Sequence, residues 1–344
     1  MAGRAVIRTL AQAVDVAAFR SPQNLALASP FQPGRFAAMD YRALRDATVR
    51  LAQGLTERFP DGAAGPGGVL VSDLPNVAEN LLLQIACNRI GLGFATAKDA
   101  KVLDKLRAAE GVTVLGAVTA DDDGFLAGAP LEAHIGDEEL NALLDTDAPA
   151  VTNDKIAAVD YGVTEDNAHA YFNSPTPLTN GAILEQGDDA GAVLAITEHD
   201  KICVSITLCH AFGIASACAG AFLAGAAVVL PAVGGIRGCG VPSQRAEATL
   251  ETLAREQCTM LFADTHTLKA LPEPTTDLAL KGGAVKIGSG SDFLYETREY
   301  AGVLLTTLGK KPAADGKSPM HWTHGLGWQP RRYLGGGKRN GKKN

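Results

Sequence analysis

Residues 68–118 constrain the fold of this chain more than any other stretch. "GVLVSDL" is a short apolar run of strand character. "NVAENLLLQIACNRIG" is long and apolar enough for a buried helix, and "GVTVLGAV" is a second strand. Strand, helix and strand in that order predict a parallel sheet with helices packed on it. Upstream, "TLAQAVDVAAFR" has amphipathic helical spacing, and "NLALAS" and "RFAAMDY" read as strands around the turn "PFQPG". Asp40 is placed to cap a helix on which Tyr41, Leu44, Thr48, Leu51, Leu55 and Phe59 share one face.

The pattern resumes at Asn167 with a strand, a loop and a strand-like "GAILEQ". A helix–strand unit follows His210, then a helix in "AEATLETLAREQ" and a strand in "CTMLFAD". "AVKIGSGSDFLYETREYAGVLL" reads as strand, Gly/Ser turn and helix. Residues 119–168 are acidic, without long apolar runs, and predict surface connections with a short helix near "DEELNALL". The expected organisation is an extension over 1–8, an α/β subdomain over 9–150, a second over 151–330, and a basic tail over 331–344.

Composition narrows the function classes. A hydrophobic content of 46% supports a real core. Aromatics are only 6%, so Ala and Gly carry much of that content and the core should be closely spaced. The formal net charge of −7 argues against DNA or RNA binding by the body. The tail reverses that sign with Arg331, Arg332, Lys338, Arg339, Lys342 and Lys343 and no acid. It reads as a solvated terminus or as an arm for RNA or an acidic surface. Six cysteines form no C-x-x-C pair, and the histidines lack metal-ligand spacing, so neither metal nor cofactor is expected. From Ile202 to Ile236 no residue carries a formal charge, but Gly225 interrupts the run. A core helix followed by the strand "AAVVLP" explains it without a transmembrane segment. "MAGRAVIR" carries two arginines and no acid, which suggests a mitochondrial address, with the cytoplasm as the other option.

The order of these segments resembles the acyl-CoA synthetases and the wider adenylate-forming (AMP-binding) superfamily, across residues 9–328. "DYRALRDATVRLAQGL" is similar to the family's early helix, often opened by T-Y-x-E-L. "GVLVSDLPNVAENLLLQIACNRIGLGFATA" resembles its strand, L-P-N turn, long helix and small apolar strand. "TLCHAFGIASACAGAFLAGAAVVLP" looks like P-L-F-H-x-x-G followed by L-x-x-G-A-x-V-V-L-P. "TLETLAREQCTMLFADTHTLKAL" and "AVKIGSGSDFLYET" resemble the next helix and strand and the S-G-G-A-P-L turn. The resemblance implies two stacked α/β subdomains with mostly parallel sheets, as in the family's large N-terminal domain.

The resemblance also implies a chemistry, and there the residues depart from it. The family's phosphate loop reads S-G-T-T-G-x-P-K-G. Aligned on its last glycine, this chain has Asn173, Ser174, Pro175, Thr176, Pro177, Leu178, Thr179, Asn180 and Gly181. Proline fixes φ and removes an N–H, and Asn180 is neutral where the family has lysine, so phosphate binding is not expected. A Y-G-x-T-E sequence occurs at Tyr161, Gly162, Val163, Thr164 and Glu165, but it precedes the loop, whereas the family's motif follows the S-G-G-A-P-L turn. By position its counterpart is His324, Gly325, Leu326, Gly327 and Trp328, which lacks the Thr–Glu pair. Little sequence follows Trp328, so the family's lysine-bearing C-terminal domain is not expected in this chain.

His210, Phe212 and Gly213 match the family's acyl-pocket segment, as pocket wall or as packing. Gly288–Ser291 reads as an anion cradle or as a strand-to-helix turn, and the pairs Cys209/His210 and His321/His324 carry only weak signals for nucleophilic or metal chemistry. The expectation is therefore a non-catalytic relative serving as a structural or accessory subunit of a larger assembly, respiratory or ribosomal. The alternatives are a module binding acyl groups, acyl-CoA or nucleotide in the remnant cleft, and an active ligase completed by another chain.

Overall fold

A computed structural model describes residues 7–29, 38–59, 67–97, 99–119, 126, 128–129, 131, 134–144, 163–172, 176–231, 241–286 and 297–308. It also gives the backbone of 311–312, 319–323 and 327–330. The first elements are α1 (Leu10–Arg20), β1 (Leu25–Ala28), β2 (Ala38–Asp40), α2 (Tyr41–Arg58), β3 (Gly68–Ser72), α3 (Ala78–Arg89) and β4 (Gly93–Thr96). They are followed by α4 (Ala100–Arg107), β5 (Thr113–Val118), β6 (His134–Ile135), α5 (Asp137–Leu143), β7 (Ala168–Tyr171), β8 (Leu178–Thr179), α6 (Asn180–Leu194) and β9 (Lys201–Ser205). A π-helical stretch, Phe212–Ala219, runs into α7 (Gly220–Ala224). Then come β10 (Ala227–Val229), α8 (Pro242–Glu256), β11 (Met260–Asp264), α9 (Thr265–Ala270), β12 (Gly282–Lys286), β13 (Thr297–Tyr300) and β14 (Val303–Thr306).

The strands form two mostly parallel sheets. One has the order β6-β5-β3-β4-β7-β8, parallel except for the β7–β8 pair. The other has the order β13-β14-β12-β11-β9-β10-β1-β2, parallel within and antiparallel at both ends. A small antiparallel sheet joins β15 (Lys311–Pro312), β16 (Pro319–Thr323) and β17 (Gly327–Pro330). The two large sheets exchange strands along the chain. A cut near residue 150 does not separate them, because β1 and β2 lie with β9–β14 while β7 and β8 lie with β3–β6.

Local chemistry explains the early elements. Thr9 and Asp40 cap α1 and α2 through side-chain oxygens that accept the N–H of Gln12 and Ala43. The face predicted for α2 is buried throughout, and the Tyr41 hydroxyl donates to the Ala226 carbonyl at 2.7 Å, with its ring edge-on to Phe222. Alternation along β9 sends Ile202 and Val204 into the large core shared with the other sheet and Cys203 to the opposite face. The uncharged run after His210 packs closely against α6 because its residues are small. A Cβ on Gly187 would stand 2.9 Å from Ala219.

Three expectations change. Ala182–Leu184 is helical, not a strand, because Thr179 caps a helix that starts at Asn180. The helix expected after the Gly/Ser turn is, from Thr297, the hairpin β13–β14. Ala301 and Gly302 both have positive φ, the geometry of a tight hairpin turn between strands rich in β-branched and aromatic residues. Residues 119–168 are more than surface connection, since Leu126, Ile135, Leu140 and Leu144 are buried.

Candidate functional site

The resemblance points to the carboxyl ends of the parallel strands, where open α/β sheets bind ligands. Of the loop residues, Asn173, Ser174 and Pro175 lie outside the described set, as do Tyr161, Gly162, His324–Leu326, Gly288–Ser291 and the tail. Thr176 is exposed, and Leu178–Thr179 pair with β7 in β8. Asn180 follows immediately as the first residue of α6 and is only 1% exposed.

The position aligned with the family's lysine is thus turned inward. Asn180 Nδ2 donates to the Thr164 carbonyl at 2.8 Å, and Asn180 Oδ1 accepts from Asn88 Nδ2 at 2.5 Å. Asn88, on α3, uses its Oδ1 to accept the Ala11 N–H at 2.9 Å and its second amide proton to reach His169 Nδ1 at 3.1 Å. Three elements far apart in sequence, α1, α3 and α6, are therefore joined through one buried asparagine. The Asn88 contact assigns the His169 tautomer: Nδ1 accepts and Nε2 carries the proton. Burial pushes the imidazole down from 6.5 to about 3, so it is neutral.

The Thr164–Glu165 segment braces the same helix start. The Glu165 carbonyl accepts the Gly181 N–H at 2.8 Å, and a Cβ on Gly181 would lie 3.3 Å from that oxygen. The Thr164 hydroxyl donates to Asn167 Oδ1 at 3.0 Å, and the Glu165 carboxylate lies 3.8 Å from Arg8 near the surface. Gly327 and Trp328 lie in β17, in the small antiparallel sheet.

His210, Phe212 and Gly213 follow β9. Residues 207–210 form a turn, not the strand assumed for the Cys209–His210 pair, and the His210 carbonyl accepts the N–H of Gly213 and Ile214. Gly213 is required by close approach, because a Cβ there would stand 2.4 Å from the Thr207 carbonyl. The Phe212 ring packs on Phe262 with centroids 5.6 Å apart, and His210 is half-buried. The turn is clamped from the other sheet by the L-P-N residue Asn76. Its Oδ1 accepts the Leu208 N–H at 2.7 Å and its Nδ2 donates to the Ile206 carbonyl at 3.2 Å.

Sequence reasoning missed Asn88, His169 and Gln84. Their signal is a polar stripe, Asn80, Gln84 and Asn88, at four-residue spacing in an otherwise apolar helix. Among the described residues, no group of three or more His, Cys, Asp or Glu side chains is placed to hold a metal, and no helix is long and apolar enough to cross a membrane.

No family model matches the chain, and no curated protein sequence matches it significantly. Solved structures do match its fold. The inhibitor-bound N-terminal domain of FACL13 from Mycobacterium tuberculosis aligns at TM-score 0.62 and 14% identity, over 81% of this chain and 70% of that one. VinN in complex with L-aspartate aligns at 0.59 and 14%, over 83% and 74%. The N-terminal subdomain of NpsA from Klebsiella oxytoca, in complex with 3-hydroxybenzoyl-AMSN, aligns at 0.59 and 15%, over 82% and 67%. At such identities the likeness is one of fold, and that fold is the N-terminal domain of the adenylate-forming enzymes.

Proposed function

We propose that this chain is a non-catalytic adenylate-forming-type domain that serves as a structural or accessory subunit of a larger assembly. The observation that supports this most is Asn180. A phosphate-binding loop needs a cation and free N–H groups facing solvent. Here the aligned position is neutral and buried, both ends of its amide are hydrogen-bonded inside the protein, and the next N–H is bound to the Glu165 carbonyl. Pro177 contributes no N–H. The loop has become a strut.

A domain relieved of chemistry but still well packed retains its surface as its functional part. The assembly we propose is mitochondrial, respiratory or ribosomal, in line with Arg4 and Arg8 at the start. The test is ATP–pyrophosphate exchange with a carboxylate panel, run beside native co-purification and mass spectrometry. The reading expects no exchange above background and a stoichiometric set of partner proteins. Exchange that disappears on Thr176→Ala, or a folded monomer that retains no partner, contradicts it.

A further inference from the structure

The polar stripe on α3 does more than hold Asn180. Gln84, fully buried, donates its Nε2 to Asn80 Oδ1 at 2.9 Å and to the Leu208 carbonyl at 3.4 Å. Both partners are acceptors, which fixes the amide so that Oε1 is its remaining polar atom. That oxygen is buried and finds no partner among the described residues. Thr207, beside Leu208 and 4% exposed, has a hydroxyl in the same condition. One helical turn along α3 from Gln84, Asn88 holds His169, whose buried Nε2–H is likewise unanswered. An acceptor, a hydroxyl and a donor, each short of a partner, thus lie along one helix between the two sheets.

Leaving such groups dry costs about 1–3 kcal/mol each. We infer that this seam binds internal water: one site at Gln84 Oε1 and Thr207 Oγ1, and a second at His169 Nε2. The donor set selects water. A cation fits the Gln84 oxygen but not an N–H donor, and an anion fits the N–H but not the amide oxygen. Water supplies both roles in a space without a charged partner. Arg89, next to Asn88, is already committed to Asp15 and Thr48. The two sheets are therefore joined by a wet seam through α3, in which the former lysine position takes part.

Oxygen-17 relaxation dispersion on the full chain counts water molecules that stay longer than the protein takes to tumble. Gln84→Leu with Thr207→Val removes the first site, and His169→Phe removes the second. Each variant is expected to lose about one long-lived water relative to the parent. A dispersion amplitude unchanged in both overturns the inference. Should a variant fail to fold, a high-resolution crystal structure of the parent decides the matter. Ordered water within hydrogen-bond distance of Gln84 Oε1 and His169 Nε2 supports the seam, and protein atoms or empty density there overturn it.

Discussion

The segment from Thr207 to Pro231 and the loop end at Thr176–Gly181 belong to the same cleft in this fold, yet they have fared differently. The first follows the family pattern closely: turn, Gly213, a close-packed helix and the strand β10. The second has lost its glycines and lysine and become the start of α6. The difference separates two constraints. Gly213 and the small residues against α6 are held by packing, which no partner can replace. The lysine answered only to a ligand, and a buried hydrogen-bond network has taken over the position.

That contrast can be broken by substitution. The largest effect is expected in the packed region: Phe222→Ala, at a nearly fully buried site, should cost about 3–5 kcal/mol in denaturant unfolding. Asn88→Leu should come next, at about 3 kcal/mol, because it strands the Ala11 N–H, Asn180 Oδ1 and His169 Nδ1 together. A double-mutant cycle of Asn88→Leu and Asn180→Leu should give a coupling of about 1–3 kcal/mol. Independent losses would mean that the two asparagines do not act as one joint.

The joint should also leave a mark on pH dependence. His169 is neutral in the fold, with its pKa at about 3 against 6.5 unfolded. Below pH 6.5 the unfolded chain gains a proton that the fold refuses. Stability is therefore full above that value and falls as the pH drops, until the folded imidazole itself protonates near 3. About 2 kcal/mol should be lost by about pH 5, and His169→Gln should remove that part of the slope. Equal slopes in parent and variant would show that His169 is not buried neutral. The smallest effect is Asp40→Ala, which removes the α2 cap and should cost about 1 kcal/mol.

Legibility followed the same divide. The α2 face, the β3–α3 unit and the strand β10 were readable because apolar spacing reports packing directly. The hairpin β13–β14 was misread as a helix, since its deciding feature is a two-residue turn, Ala301–Gly302, that leaves no periodic trace. The loss of lysine at position 180 was readable, but the fate of Asn180 was not. Its partners Asn88, Thr164 and His169 are distant or belong to the backbone, and only the fold brings them together.

The most direct test of the account is Asn180→Lys, which restores the family's cation at the aligned position. If the position is a strut, the lysine must be buried beside Asn88 or expelled. The thermal midpoint should then fall by several degrees, with no recovery on adding magnesium–ATP. A variant that keeps its midpoint and gains stability with magnesium–ATP would contradict the account, because it would show a phosphate site that had lost only its charge.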